Sequence, residues 1–412
     1  MGRSGVGSIL RTFRSHAGNV VVIAFQVALA VAVICNALFI ATSRYGHVNQ
    51  PSGLNESGLV SILSSSTKQT GAGAGQGAYV DADVRALQQL PGVRKVTETF
   101  SLPLSGSTIG GGVATTSPSD EQRPVSYFFA DTQALSTLGV RLLAGRNFTA
   151  EEVAPSASLP QSAGPVIITE ALAGRLYSSP DQALGKALFL NGGSFANTIV
   201  GVVDRMEIPS VHKEETLANW YTVLVPVRYA GDRANYVLQV EPGKEQAVQA
   251  KALAALYQID AERVIDPTDV KTFSQLRADM FDEDIATARI MLGIVLILLV
   301  VTAFGLYGLI SSWIRRRNRQ IGIRRALGAT KRDILVYFHV ENLLICVFAG
   351  ILGCIAALYI STQFMQMFAT ERLPIMYLLW GELAVIVVSQ VATFVPAIGA
   401  SKLPPAAIIR RA

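Results

Sequence analysis

The sequence predicts a membrane protein with four transmembrane α-helices and a large α+β extracytoplasmic domain inserted between helices 1 and 2. Three observations predict it. Four apolar stretches can each cross a bilayer, a polar stretch of about 240 residues separates the first from the second, and the basic residues gather in short segments beside them. The composition agrees: 50% hydrophobic and 16% charged residues over 412 is too apolar for an ordinary soluble protein and too polar for an all-membrane bundle.

After an N-terminal segment over residues 1–19, the first helix is expected at 20–40, with no charge from Val20 to Ile40. Its apolar run exceeds a signal-peptide core and "LFIATSRYG" offers no small-x-small cleavage site, so it reads as an uncleaved anchor. Helix 2 is expected at 290–314, helix 3 at 334–360 around the apolar core Leu343 to Ile360, and helix 4 at 378–400 around Leu383 to Ala400. About 20 residues at 1.5 Å rise cross a hydrocarbon core of roughly 30 Å.

Orientation follows from charge. The N-terminal segment carries Arg3, Arg11 and Arg14 without an acid, and the tail, 401–412, adds Lys402, Arg410 and Arg411. Arg315 to Asp333 holds eight Lys/Arg against one Asp, whereas Arg44 to Asp284 holds 19 Lys/Arg against 26 Asp/Glu. Basic segments stay in the cytoplasm, so both termini and the basic loop are expected inside and the domain at 44–284 outside. The overall +5 is then a topology signal that favours membrane lipid and gives no reason to invoke nucleic acid. Cys35, Cys346 and Cys354 all fall in expected membrane helices, so the outer domain is expected to fold without disulfides.

Two strand–helix–strand patterns bracket that domain, and one subdomain built from 79–104 and 221–270 would leave 105–220 as an insertion. In "AYVDADVRALQQLPGVRKVTETF", Asp81 or Asp83 can cap a helix that ends at Pro91-Gly92 before a strand. "YVLQVEPGKEQAVQAKALAALYQIDAERVID" repeats the plan. The insertion reads as short strands, "PVSYFFAD", "PVIITEAL", "KALFLNG" and "TIVGVVD", with a tight turn at Gly145-Arg146 and a capped helix start at Thr149 to Glu152. Gly71 to Gly77 precedes no Lys-Ser/Thr and is expected to open no helix, which makes it a flexible linker.

No catalytic signature appears. The four histidines, His16, His47, His212 and His339, lack zinc spacing, there is no G-x-S-x-G elbow or P-loop, and the neighbouring acids Glu151/Glu152 and Glu214/Glu215 read as solvated. The chain is therefore expected to be no enzyme and to bind no cofactor or metal.

A stalk helix is expected at 271–289. If the helical pattern from Thr268 continues to Ile314, the rod is about 70 Å long; a break near Asp282 to Asp284 is the alternative. Beyond helix 2, residues 315–333 form a short basic helix that Gly328 ends in a left-handed conformation. Ile321, Arg324, Arg325 and Gly328 fall on one stripe, and Ile323, Ala326 and Leu327 on another. After Ala329, Thr330 caps the next helix with Asp333 at its third position.

"RNRQIGIRRALGATKRDIL" followed by "HVENLLICVFAGILGCIAALYI" resembles the FtsX-like permeases of ABC transporters, in particular the MacB branch. The tail "PAIGASKLPPAAIIR", and "YFFADTQALSTLGVRLLAGRNFTAEE", "PVIITEAL" and "IVGVVD" in the outer domain, are similar to that family as well. The resemblance implies a bacterial inner-membrane, multi-pass permease with a periplasmic domain of porter-like and sabre-like parts. It implies a dimer with a second copy or a sister permease, a periplasmic membrane-fusion adaptor and an outer-membrane channel. Ile321, Ile323, Arg324, Arg325, Ala326, Leu327, Gly328, Ala329, Thr330 and Asp333 would form the coupling helix against an ATPase, and motion of the outer domain would drive export of a substrate from the periplasm or outer leaflet. MacB carries its ATPase in the same chain and no P-loop is found here, so a separate ABC ATPase subunit, with ATP and Mg on that partner, is expected. A lipoprotein-extracting permease of the same superfamily and a receptor or scaffold without energy coupling are the alternatives.

Glu341 is the intramembrane polar candidate, with pairing to nearby arginines at the inner interface as its structural reading and proton transfer as its functional one. Glu382 is expected at the outer boundary, Gly350 and Gly353 at a close helix contact suited to a dimer, and Pro396, Pro404 and Pro405 at the end of the last helix.

Overall fold

Helix α1, Ala17–Val48, carries the first apolar stretch. The computed structural model describes residues 17–65, 74–107, 109–156, 158–208, 218–229, 231, 233–326, 328–368 and 372–401. Strand β1 (Leu59–Ser65), helix α2 (Ala74–Gln88) and strands β2 (Val93–Thr99), β3 (Ile109–Ala114) and β4 (Arg123–Phe129) come next. They are followed by α3 (Ala134–Leu138), β5 (Leu142–Gly145), β6 (Ala154–Ser156), β7 (Pro165–Thr169), α4 (Glu170–Tyr177), α5 (Pro180–Ala183), β8 (Ala187–Leu190) and β9 (Ala196–Val203). After β10 (Thr222–Val225), β11 (Val227–Tyr229), β12 (Arg233–Val240), α6 (Glu245–Ile259) and β13 (Val270–Thr272), four helices close the described chain: α7 (Phe273–Arg316), α8 (Asn318–Ala326), α9 (Lys331–Phe368) and α10 (Ile375–Ser401). One unit contains residues through Asn49 and from Glu283 onward; the other is Gln50–Asp282.

Within Gln50–Asp282, the smaller sheet has the order β13-β1-β12-β2, with strands drawn from both ends of the domain. Alternation sets its faces. Val60 and Ile62 of β1 meet Val80 and Leu87 of α2 and Val248 and Leu256 of α6, while Ser61 donates to Asn235 across the opposite face at 2.6 Å. Asp83 of α2 is wholly buried and receives two hydrogen bonds from the Arg263 guanidinium, at 2.8 and 2.9 Å, and one from the Tyr236 hydroxyl. This charge is paired and hydrogen-bonded, as a buried carboxylate must be.

The larger sheet runs β5-β9-β7-β10-β4-β3-β8, and β8 also pairs with β9. It therefore closes on itself, which leaves few free strand edges. Its core gathers Tyr127, Phe129, Val166, Ile168, Val202 and Val223.

Several elements differ from the sequence reading. Helix α2 begins at Ala74, so the glycine-rich run does open a helix; Gly77 sits against the Pro155 ring, and burial outweighs its weak propensity. Asp81 and Asp83 accordingly lie inside the helix and cap nothing. Strand β1, outside the two porter-like ranges, is a central strand of the smaller sheet, and β10, inside 221–270, belongs to the larger one. Thr149 to Glu152 makes a turn without a helix: Glu152 accepts from the Thr149 amide at 2.9 Å, as in a capping box, and from Arg146 at 2.6 and 2.8 Å. Residues 66–73, with the start of the expected linker, and 209–217, with His212, Glu214 and Glu215, lie outside the described residues.

Among the described residues, the helices Val20–Gly46, Phe273–Arg316, Lys331–Gln363 and Ile375–Gly399 are long and apolar enough to cross a bilayer. Helix α7 is one unbroken helix of 44 residues, about 66 Å, without a break at Asp282 to Asp284. It starts later than Thr268 because Pro267–Asp269 forms a 3-10 turn and Val270–Thr272 a strand. Helices α1, α9 and α10 pack together, whereas only 17% of the most apolar stretch of α7 is buried against 50% for α1. Gly353 lets α9 approach the backbone of Ala28 in α1, and Gly350 lies against the Glu382 carboxylate of α10, so both glycines serve contacts inside this chain. Glu382 is thereby turned between helices. Pro396 sits inside α10, which continues to Ser401; a membrane helix tolerates the lost N–H where neighbours satisfy the freed carbonyl. Residues 402–412, with Pro404 and Pro405, lie outside the described residues.

One buried acid in the outer unit gives a pH signature. Burial pushes Glu207 from its ordinary 4.5 up to about 7, with Arg277 pulling it down and Glu56 pushing it up. Between those values the unfolded chain ionises this group while the folded domain holds it protonated, so stability falls as pH rises through that window and levels above it. Replacing Glu207 with Gln removes that slope, worth about 3 kcal/mol at its end points. Thermal unfolding of the wild type and Glu207→Gln at pH 4.5 to 8 measures the difference.

Candidate functional site

Arg317 is the single residue between α7, which ends at Arg316, and α8, which begins at Asn318. Its amide donates to the Ile314 carbonyl at 2.9 Å and its own carbonyl accepts from Ile321 at 3.0 Å, so the chain passes from one helix to the next without a loop. The side chain does not reach water: 3% is exposed. Its Nη1 lies 3.1 Å from both oxygens of Glu341, itself fully buried in α9, and its guanidinium stacks 4.4 Å from the centroid of the Trp313 ring. Among the described residues, Nε and Nη2 of Arg317 and Nε1 of Trp313 have no hydrogen-bond acceptor. Three buried donors without acceptors raise the cost of this arrangement.

Helix α8 ends at Ala326 and Gly328 takes φ +96, a conformation that only glycine adopts cheaply. No atom lies within 4 Å of a β-carbon built there, so the backbone angle sets the requirement, with no part played by space. The amide of Ala329 bonds back to the Arg324 carbonyl at 3.1 Å, the six-to-one bond of a Schellman turn. Helix α9 then starts with a reciprocal cap. The Thr330 amide and hydroxyl donate to Asp333 at 2.9 and 2.7 Å, and the Asp333 amide donates to the Thr330 hydroxyl at 3.2 Å. Arg324 lies 4.4 Å over the ring of Tyr337, in the second turn of α9, which fixes α8 against it.

The expected site residues separate by exposure. Ile323, Arg324, Ala326, Gly328 and Thr330 are exposed and Ala329 is half-buried, whereas Ile321 is turned into the helix-bundle core. Ile321 therefore anchors the elbow from within and is not on the surface. The Arg325 side chain and Leu327 lie outside the described residues. Arg317, Trp313 and Tyr337 escaped the sequence reading as site residues. A buried acid needs a counter-charge, and Arg317 is among the first basic residues beyond the second apolar stretch, so that signal was present for Arg317.

Further along the bundle, polar groups pair between α9 and α10. His339 Nδ1 lies 2.7 Å from Gln390 Oε1, and Asn342 donates to the Ser389 hydroxyl at 2.7 Å. These contacts join helices without forming a chemical centre.

Residues 25–256 match the MacB-like periplasmic core domain, and residues 292–405 match the FtsX-like permease C-terminal region. The chain belongs to the MacB-like permease family. Among its relatives is the macrolide export ATP-binding/permease protein MacB 1/2 of Paracoccus denitrificans, 25% identical over 81% of this chain and 47% of that protein. The MacB of Neisseria gonorrhoeae is 25% identical over 60% of this chain and 36% of its own length. The chain thus spans less than half the length of these relatives. The periplasmic region of MacB from Actinobacillus actinomycetemcomitans covers 57% of this chain and 97% of its own, at 12% identity and a TM-score of 0.35. Both matched regions of this MacB-like permease are permease domains, whereas the relatives' names join ATP-binding and permease parts.

Breaking the buried pair from one side should cost more than removing it. Glu341→Ala strands Arg317 and should lower stability by roughly 3–5 kcal/mol, whereas the double change Arg317→Leu with Glu341→Leu should recover much of the loss. Unfolding midpoints of the detergent-solubilised protein compare the two.

Proposed function

We propose that this MacB-like permease is the membrane subunit of an ABC transporter whose energy comes from a separate ATPase. The ATPase docks on the exposed side of the elbow, at Ile323, Arg324, Ala326 and Thr330, on the cytoplasmic side of a bacterial inner membrane. Motion of the elbow passes along α7 into the periplasmic domain, which drives export of a substrate from the periplasm or the outer leaflet. The observation that carries this reading is the elbow itself. It is a short basic helix, locked at both ends by backbone turns and joined directly to the 44-residue α7. Its exposed isoleucine, 51% accessible, beside a ring-stacked arginine makes a compact hot spot for a protein partner.

The weakly buried apolar face of α7, with Leu296, Val300 and Phe304 exposed, supports a second permease copy or a sister permease beside it, with lipid over the remainder. A membrane-fusion adaptor and an outer-membrane channel follow from the MacB-like domain plan and are part of the same proposal. Macrolides, named for the relatives, are the first substrates to test.

Affinity purification of the tagged permease from its own cells should recover an ATP-binding subunit. Reversal of charge at Arg324→Glu together with Arg325→Glu should weaken recovery about tenfold or more, the scale of losing a hot-spot residue. An undiminished complex would contradict the docking role.

A further inference from the structure

In the outer unit, the first turns of α7 are tied to a preceding loop by an ion pair between Arg277 and Glu56. Arg277, in the second turn of that helix, donates to both carboxylate oxygens of Glu56, at 2.5 and 3.2 Å, and to the Gln50 carbonyl at 2.9 Å. Both side chains are at most one-third exposed, and Phe281 lies under the guanidinium at 5.9 Å. Glu56 is held in turn by the Ser52 hydroxyl at 2.7 Å and the Ser52 amide at 3.3 Å. Four bonds to one carboxylate make residues 50–56 a tight loop fastened to α7.

That loop is fastened on its other side to the larger sheet's connections. The Ser52 carbonyl accepts from the Glu207 amide at 3.0 Å, beyond the end of β9, and the Asn55 amide donates to the Leu138 carbonyl at 2.9 Å, at the end of α3. Gly53 has φ +85, and a β-carbon there would lie 2.2 Å from the Arg205 carbonyl oxygen. A side chain at position 53 would thus push the loop off the 204–208 segment. Residues 50–56 touch α7 through Arg277 and, through Ser52, Gly53 and Asn55, touch the segment that follows β9 and the end of α3, both of which adjoin strands of the larger sheet.

We infer that Arg277 is a positioning residue that hands displacement of α7 to the larger sheet through the loop at residues 50–56. This deepens the proposed function and rests on it. A bidentate guanidinium–carboxylate pair resists rotation as well as separation, which suits it to carry a shift of the helix in more than one direction. Lysine keeps the charge but loses the fork, so Arg277→Lys should transmit less than arginine and more than alanine.

The test uses the full-length permease with its co-purified ATPase in lipid nanodiscs, comparing backbone hydrogen exchange with and without ATP and Mg. In the wild type, ATP should change exchange both at the elbow, 318–335, and at 50–56 with 204–208. In Arg277→Ala, and in the milder Glu56→Gln, the elbow should still respond while the response at 204–208 is lost, with Arg277→Lys between. A response at 204–208 that survives in both variants overturns the inference, and so does a wild type whose elbow responds while 204–208 does not. A wild-type elbow indifferent to ATP instead overturns the reading on which the inference rests.

Discussion

A charged pair shut away from solvent, Arg317 with Glu341, sets the geometry of the membrane unit around the elbow. An arginine in that position could not stay there alone, since burying an uncompensated charge costs several kcal/mol or more. The pair therefore forces the junction between α7 and α8 to lie against the second half-dozen residues of α9. Trp313 covers the guanidinium from the α7 side, and Arg324 on Tyr337 ties α8 to the same helix. Helices α7, α8 and α9 meet as one joint, whose single sharp turn is assigned to a glycine at φ +96.

A joint of this kind has the mechanical property the proposed function requires. Its internal contacts are local and strong, while its outward face carries Ile323 and Arg324 at the surface. Under the proposed function, a partner gripping that face would move the end of α7 with it, because no loop intervenes to absorb the motion. At the other end of α7 the same chemistry recurs in the outer unit, where a forked guanidinium holds a carboxylate and a glycine permits close backbone approach.

The sequence made the helices and the elbow legible because each is governed by local chemistry. Apolar length specifies the spans, and the Gly328 turn and the Thr330–Asp333 cap are set by residues within five positions of one another. Two strands of the four-stranded sheet and the helices beside them were visible in outline, since the Pro-Gly turns after α2 and β12 bound those helices. Strand β1 was not, because serines alternate through it and its partner Asn235 lies 174 residues away. The start of α2 was hidden for a similar reason: its glycines disfavour a helix until the Pro155 ring and the Asp83–Arg263 pair hold it. Among the candidate residues, Glu341 was marked by its apolar neighbours. Arg317 was hidden in a run of three arginines, of which only the fold distinguishes the one turned inward.

The proposed function requires the elbow and the MacB-like periplasmic domain to be on opposite faces of the membrane and to communicate through α7. Sidedness tests it most directly. With the three native cysteines replaced, single cysteines at Phe195 and Ala326, both exposed, can be probed with a membrane-impermeant thiol reagent. The account predicts that reagent added to spheroplasts labels position 195 at once and position 326 only after permeabilisation. Labelling of both positions from the same side would contradict it.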